Sequence, residues 1–331
     1  MALGDMEKRK VQLTGTSTLT ISLPRAWVLR NGVAPRDEVF VTEEPDGSLS
    51  LSLRQAAERL RSADINTEKF SDPSHLARAF LAKYLAGYNT VRITSSGKIP
   101  QATRAAIVAQ VDRLIGFEIT EETPGSITAQ DFFSHEGLSI EKTLRRAHLI
   151  ARGMQVDAIE SFVKRDPELA EAVIARDDEA DRLRFLIIRQ LSLALHHSAL
   201  LQAFGITAYD SVVFLRVARC LEDMADQATQ IAAHSRSFKG KVPPDIARGI
   251  ESLSAAVLDA HTAAFGALFT KNMDAANAVI GRKAELEAKR EALERALQRK
   301  QVQFQTGLII EAIMRIYGHS MHIAEAVIDR E

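Results

Sequence analysis

Cysteine is nearly absent. Cys220 is the single one in 331 residues, so no internal disulfide can form, and a reducing cytoplasm is the expected compartment. Aromatic residues are only 6% of the chain, and glycine and proline are sparse in the second half, where Ala and Leu dominate; packed helices are favoured there over sheets. No run of 18 uncharged apolar residues exists, because Lys83, Arg189 and Arg315 interrupt the longest candidates, so no membrane span is expected. The start, MALGDMEKRKVQL, lacks the apolar stretch of a secretory signal. Charge of one sign is also missing. Lys and Arg number 42 against 43 Asp and Glu, a net charge of −1, so only a local basic patch can serve nucleic acid or a membrane. The motifs HExxH, Walker A and G-x-S-x-G are absent, and no Glu is followed by His three residues later, which excludes a di-iron oxidase of the bundle type. No enzymatic activity is expected. With 46% apolar and 26% charged residues the chain reads as an ordinary globular protein of two or three domains.

Residues 7–54 differ from the rest. Val11 and Leu13, then Leu19, Ile21 and Leu23, alternate with period two and predict strands separated by a turn at Gly15 and Ser17. Pro24 opens a short helix, Arg25 to Arg30, that stops at Asn31-Gly32. A turn at Pro35-Arg36-Asp37 leads to a strand over 38–43, and Pro45-Asp46-Gly47 turns it into another over 48–53. Such a piece is too small to bury its own apolar faces and needs a partner copy.

Thr16-Ser17-Thr18-Leu19-Thr20-Ile21-Ser22-Leu23-Pro24-Arg25, Gly32, Asp37-Glu38-Val39 and Asp46-Gly47-Ser48-Leu49 resemble the SpoVT/AbrB/MazE family of swapped-hairpin DNA-binding domains. Arg36 stands where that family usually has Gly. The resemblance implies an interlocked homodimer whose paired loops face DNA. Lys8, Arg9, Lys10 and Arg25 are the candidate DNA contacts. Residues 1–54 hold seven basic and seven acidic side chains, so binding requires charge segregated onto one face.

Residues 57–134 read as a small α/β layer. Helices open at Asp72-Pro73 and Pro100, a strand spans 90–94, and a hairpin turns at Pro124-Gly125. Gly97-Lys98 is not a P-loop, and a spacer or dimer-packing role is the expectation.

From about Leu138 the pattern is helical, with breaks near 165–167, 204–207, 239–244, 272–274 and 298–305 that predict about six long helices. The region repeats. AEAVIAR (170–176) and ANAVIGR (276–282) share five of seven residues at an offset of 106, and Gln230-Ile231-Ala232 parallels His322-Ile323-Ala324 at an offset of 92. The second copy is 14 residues shorter, and the surplus of the first is expected around 190–208. Two three-helix copies side by side are predicted. The fold class is mainly α, with a small N-terminal β domain and a small α/β middle unit, divided as 1–56, 57–136, 137–241 (copy one) and 242–331 (copy two).

In copy one, Asp177 and Asp181 stand four apart on a stripe with Val173, Phe185 and Ile188, and Glu222 and Asp226 stand four apart on a stripe with Leu215 and Ala218. Like charges at that spacing weaken a helix, and carboxylates pressed toward an apolar face are costly unless paired or metal-bound. Two readings follow: salt bridges to Arg176, Arg182, Arg216 and Arg219, or four oxygen donors converging on a cation.

The two acidic pairs, the Gln-Ile-Ala ending and the twofold repeat resemble the phosphate uptake regulator family PhoU, over about 137–331. The fusion to a swapped-hairpin domain resembles archaeal phosphate uptake regulators. The resemblance implies paired three-helix bundles, ligand positions at Asp177, Asp181, Glu222 and Asp226, and a divalent or ferric ion (iron, zinc, manganese or magnesium). It further implies a cytoplasmic homodimer acting on DNA and on a phosphate transporter ATPase subunit or a signalling protein. A dimeric adaptor without DNA binding is the alternative. In copy two the offsets put Lys283, Glu287, Met314 and Gly318 at the four positions, so metal is expected in copy one only. His319 and His322 lie nearby, and they, His196-His197 and His234 are read as ordinary packed or surface histidines.

Overall fold

The computed structural model describes residues 7–43, 47–53, 61–133, 139–196, 198–300 and 304–330. Pro45-Asp46, His197 and the boundaries expected at 56/57 and 136/137 lie outside them. The chain divides into two compact units, 1–59 and 60–331.

The first unit has two antiparallel ribbons around a short helix. Strands β1 (Gln12–Thr14) and β2 (Thr18–Thr20) pair across Gly15, and β3 (Phe40–Glu43) pairs with β4 (Leu49–Ser52). Between them α1 (Arg25–Asn31) ends on Gly32, whose N–H donates to the Leu29 carbonyl; its left-handed backbone lets the following Val33 N–H reach the Val28 carbonyl. Arg36 also has positive φ, 81°, which is the conformation glycine adopts without steric cost. None of the unit's described residues is buried: Leu13, Leu19 and Leu49 are each about two-thirds exposed.

The second unit begins with an α/β layer. Its strands are β5 (Ser62–Asn66), β6 (Thr90–Thr94), β7 (Phe117–Thr123) and β8 (Ser126–Asp131), ordered β5-β6-β8-β7 and parallel only between β5 and β6. Helices α2 (Pro73–Leu85) and α3 (Gln101–Asp112) cover the sheet with Leu76, Phe80, Tyr84, Ile107 and Val111. Asp72 caps α2 by accepting from the Ser74 N–H, with Pro73 in the first turn. β5 is an addition to the sequence reading. Its SADIN buries only Ile65 on an edge, too little apolar alternation to register.

The remainder is helical: α4 (Ile140–Lys164), α5 (Pro167–Ala175), α6 (Asp177–His196), α7 (Ser198–Phe204), α8 (Ala208–Ser237), α9 (Pro244–Thr270), α10 (Met273–Gly281), α11 (Lys283–Lys300) and α12 (Phe304–Ile328). That is nine helices among the described residues rather than about six. Of the three additional joints, one lies at 197, outside the described residues; the other two fall after Arg176 and Arg282, where the chain bends while the arginine carbonyl still accepts from the next turn. Gly281 adjoins the second joint, but neither Gly nor Pro marks the first, so sequence punctuation misses it there. Asp177 therefore begins a helix, and Val173 lies on the preceding one.

The repeat offset of 106 is structural as well as sequential. Arg165 and Lys271 are both left-handed C-caps, with φ of 57° and 50°; Asp166 and Asn272 both cap the next helix; α5 and α10 are both nine residues long. The surplus length of copy one holds α7. One hydrophobic core, from Ile140 to Val327, runs through both copies without a division. Across it His148 meets His261 and Gln155 meets Ser254. The offset carries 148 to 254 and 155 to 261, so these contacts are counterparts across a pseudo-twofold between α4 and α9. Among the described residues, α9 is the one helix long and apolar enough to cross a membrane, with a hydropathy of 1.3, yet 56% of that window is buried and it packs on α4, α11 and α12.

The α/β layer is pinned to α6 by Arg189, which is fully buried. Its guanidinium donates to Asp131 at 2.5 Å and to the Tyr84 carbonyl at 2.7 Å, and lies over the Tyr84 and Phe117 rings. The residue that excludes a membrane span in sequence is a buried anchor in the fold.

Candidate metal centre

The start of α6 faces the middle of α8. The Thr229 hydroxyl on α8 donates to Asp177 at 3.1 Å across the seam. Burial, then the charges of Asp177, Asp181 and Asp223, pushes Asp226 up to about 6. Burial likewise raises Asp177, with Asp181 and Asp178 adding to it against the Thr229 bond. Glu222, 9% exposed, is pushed up to about 7 by burial, with Asp226 and Asp223 reinforcing and Arg184 and Arg219 opposing. One of its oxygens, Oε2, is buried without a hydrogen-bond partner; Arg219 Nη1 stands 3.3 Å away but is not aligned to donate.

Of the four acids singled out in sequence, Asp226 feels Asp177 and Asp181 electrostatically, but among the described residues the ligand oxygens that converge within 4.8 Å are those of Glu222, Asp226 and the added Asp223, not of Asp177 or Asp181. Asp223 places a ligand oxygen within 4.8 Å of those of Glu222 and Asp226. Arg113, at the end of α3, reaches Asp181 at 2.5 Å and Asp178 at 3.4 Å. Arg184 lies 3.6 Å from Glu222, and Arg219 is 2.7 Å from Asp223. Of the arginines expected to neutralise the cluster only Arg219 pairs with it; Arg176 binds Asp157, and Arg216 binds Glu325 and Asp329. Asp223 adjoins Glu222 in sequence and was legible by proximity. Arg113 is 68 residues from Asp181, and no local pattern announces it.

Three guanidinium groups against five carboxylates leave an excess of acid in a half-buried seam. Raised carboxyl groups and an unpartnered buried oxygen are a donor set that fits a hard or borderline metal ion. At the corresponding seam of copy two, a cavity of about 360 Å³ is lined by Lys283, Glu287, Arg290, Met314 and Arg315 among others. Glu287 is bound by Arg290 of its own helix at 2.7 Å.

Residues 144–234, copy one's span, match the family model of the PhoU domain. That stretch is similar to a PhoU domain. Ahead of it, residues 12–52 match the model described as antidote-toxin recognition MazE, a bacterial antitoxin. The solved structures similar to this chain include PhoU from Pseudomonas aeruginosa, 19% identical, TM-score 0.49, covering 57% of this chain and 93% of that one. They also include the phosphate transport system regulatory protein PhoU from Streptococcus pneumoniae, 18% identical, TM-score 0.47, covering 57% and 91%. No curated protein matches the sequence. In the PhoU-like stretch the acids lie on α6 and α8; Lys8, Arg9 and Lys10, just ahead of the MazE-type segment, and Arg25 within it are all exposed, with Arg9 ion-paired to Glu7 and Arg25 opening α1.

Proposed function

We propose that this protein is a cytoplasmic regulator of phosphate uptake, not an enzyme. The MazE-type segment dimerises and binds DNA, and the helical half governs phosphate transport or its transcription. The observation that carries this reading is the fusion itself: a MazE-type segment whose strands leave Leu13, Leu19 and Leu49 uncovered precedes a PhoU-like stretch with a desolvated acid cluster. Apolar strands with no cover within their own unit are supplied with it by a second copy, which closes one core from two halves. Lys8, Arg9, Lys10 and Arg25 then meet phosphates or base edges. The four-part division, 1–56, 57–136, 137–241 and 242–331, belongs to the same reading.

Within copy one, Asp177, Asp181, Glu222 and Asp226, with Asp223 beside them, would hold the metal ion. A cation there supplies positive charge that cancels the repulsion of five acids; Arg113, Arg184 and Arg219 supply part of it already. Copy two, with Lys283, Met314 and Gly318 at the equivalent positions, holds none.

The test is a titration of the full chain with DNA from upstream of phosphate-transporter genes, at several salt concentrations. Loss of a phosphate contact in Arg25→Ala lowers affinity and reduces the slope of log K against log salt by about 0.9. An unchanged slope and affinity remove Arg25 from the interface. Light scattering of Leu13→Asp/Leu19→Asp is expected to give monomer; a dimer of undiminished strength refutes the shared core. A second reading, an adaptor that docks on a transporter subunit without DNA, is supported by the neutral segment and by the Glu7–Arg9 pair. Absence of DNA binding at low salt would favour it.

A further inference from the structure

We propose that Cys220, His319 and His322 form a second metal site, made of soft donors, on the seam between α8 of copy one and α12 of copy two. It does not depend on the acid cluster or on a role in phosphate uptake. One ligand atom from each of the three side chains lies within 4.8 Å of the other two. Cys220 and Asp223 are three apart on α8, and His319 and His322 are three apart on α12, so each helix presents two groups on one face toward its neighbour. A tetrahedral zinc ion, with bonds of about 2.3 Å to sulfur and about 2.0 Å to nitrogen, holds such atoms roughly 3.3–3.7 Å apart. Small side-chain rotations close the difference, and the two imidazoles, with ring centres 6.0 Å apart and planes at 78°, are free of stacking that would resist them.

Asp223 Oδ2 stands 3.8 Å from His319 Nδ1. A carboxylate in that place accepts the remaining N–H of a metal-bound imidazole and directs Nε2 to the metal. Burial grades across the site: Cys220 is buried, His319 partly exposed and His322 exposed, so the metal enters from the His322 side and keeps its fourth position toward water. Thiolate plus two imidazoles selects zinc or copper over magnesium and manganese, the opposite preference from the all-oxygen cluster on the other side of Asp223. On binding, the thiol proton is released to solvent and the sulfur's electron pair goes to the metal. Because α8 and α12 belong to different copies, the ion clamps the two halves of the repeat together.

The experiment uses the full chain, stripped with chelator and titrated with cobalt(II) and then zinc(II). Wild type is expected to show sulfur-to-cobalt charge-transfer absorption with intense tetrahedral bands, both erased by zinc. Cys220→Ser loses the charge-transfer band. His322→Gln, at an exposed position where folding is not at issue, loosens zinc by about tenfold or more. Asp177→Asn keeps the band, since it touches only the acid cluster. The proposal is overturned if wild type shows no charge-transfer band, if the band survives in Cys220→Ser, or if His322→Gln binds zinc as tightly as wild type.

Discussion

Copy one and copy two share caps, joints and a core, yet their matching seams have different chemistry. Asp181 and Glu287 are equivalent by the offset of 106. Glu287 is neutralised by Arg290 on its own helix, an arrangement any surface helix can make. Asp181 is met by Arg113 from the α/β layer. The same contrast holds at positions 189 and 295, both arginine. Arg189 is buried against Asp131, while Arg295 is solvated beside Glu291. A duplicated scaffold therefore keeps the residues that bend and cap the chain, and it diverges where one copy has a neighbour that the other lacks.

The sharpest way to break this comparison is at the paired arginines. Arg189→Leu removes the buried cation that pairs with Asp131 and should cost about 3–5 kcal/mol in urea unfolding. Arg295→Leu should cost under about 0.5 kcal/mol. Equal losses would mean that Arg189 is not an anchor.

The two pseudo-symmetric contacts between α4 and α9 give a pH test. His148 Nδ1 is 3.1 Å from His261 Nε2, and His148 stacks on Phe265. His261 Nδ1 is buried without a partner, so the cheaper tautomer has His261 donating through Nε2 and a bare Nδ1. Burial, with Arg152 and Arg145, holds His148 down at about 4; burial, with His148 and Arg152, holds His261 down at about 3. Both bind protons more readily unfolded, where the pKa is about 6.5. The neutral pair's contribution is complete above about pH 6.5 and is lost as pH falls toward 4, on the order of 3 kcal/mol for each histidine. Replacing it with its counterpart, His148→Ser/His261→Gln, should flatten that acid limb. Glu222 and Asp226, raised in the fold, act with the opposite sign: in metal-free protein their strain eases as pH falls from about 7 toward 4. If the acid limb is as steep in the double variant as in wild type, the histidine pair is not its source.

Metal should separate the copies. At a free magnesium concentration 100-fold above the Kd of the acid cluster, an ion that the thiol–imidazole site does not select, wild type and Glu287→Gln should gain about 2.7 kcal/mol. Asp181→Asn/Asp226→Asn should gain nothing and, metal-free, should melt above metal-free wild type because repulsion is relieved. Metal lost from Glu287→Gln as well would overturn the asymmetry.

A smaller effect is expected from the partners. Arg113→Gln frees Asp181 and should tighten metal binding by about threefold to tenfold, roughly 1 kcal/mol, whereas Arg290→Gln should create no site in copy two. Calorimetric titration reads both. The smallest effect lies outside the repeat: Arg36→Gly removes a side chain from a left-handed position and should raise the melting point by a few degrees, equivalent to about 1 kcal/mol.

Much of this was legible in the chain. The strands around Leu13 and Leu19, the stop of α1 at Gly32, the start of α2 at Asp72-Pro73, and the repeat offset follow from periodicity, caps and self-similarity, which act within a few residues. The same rules placed Asp177 beside Asp181 and Glu222 beside Asp226. What escaped had no local signature. The bend at Arg176 lacks a breaker residue, and β5 has one buried side chain. Arg113 and Asp181 are 68 residues apart, and Cys220 is about a hundred from His319. Charge and softness of a side chain are written in sequence, but burial and company are set by which helix faces pack. The residues alone therefore determined the helices, the duplication and the acid pairs. Only the tertiary structure decided that Arg189 is buried, that Arg113 meets the acids, and that a thiol stands beside two imidazoles, because desolvation and approach at 3–5 Å exist only once distant segments share one core.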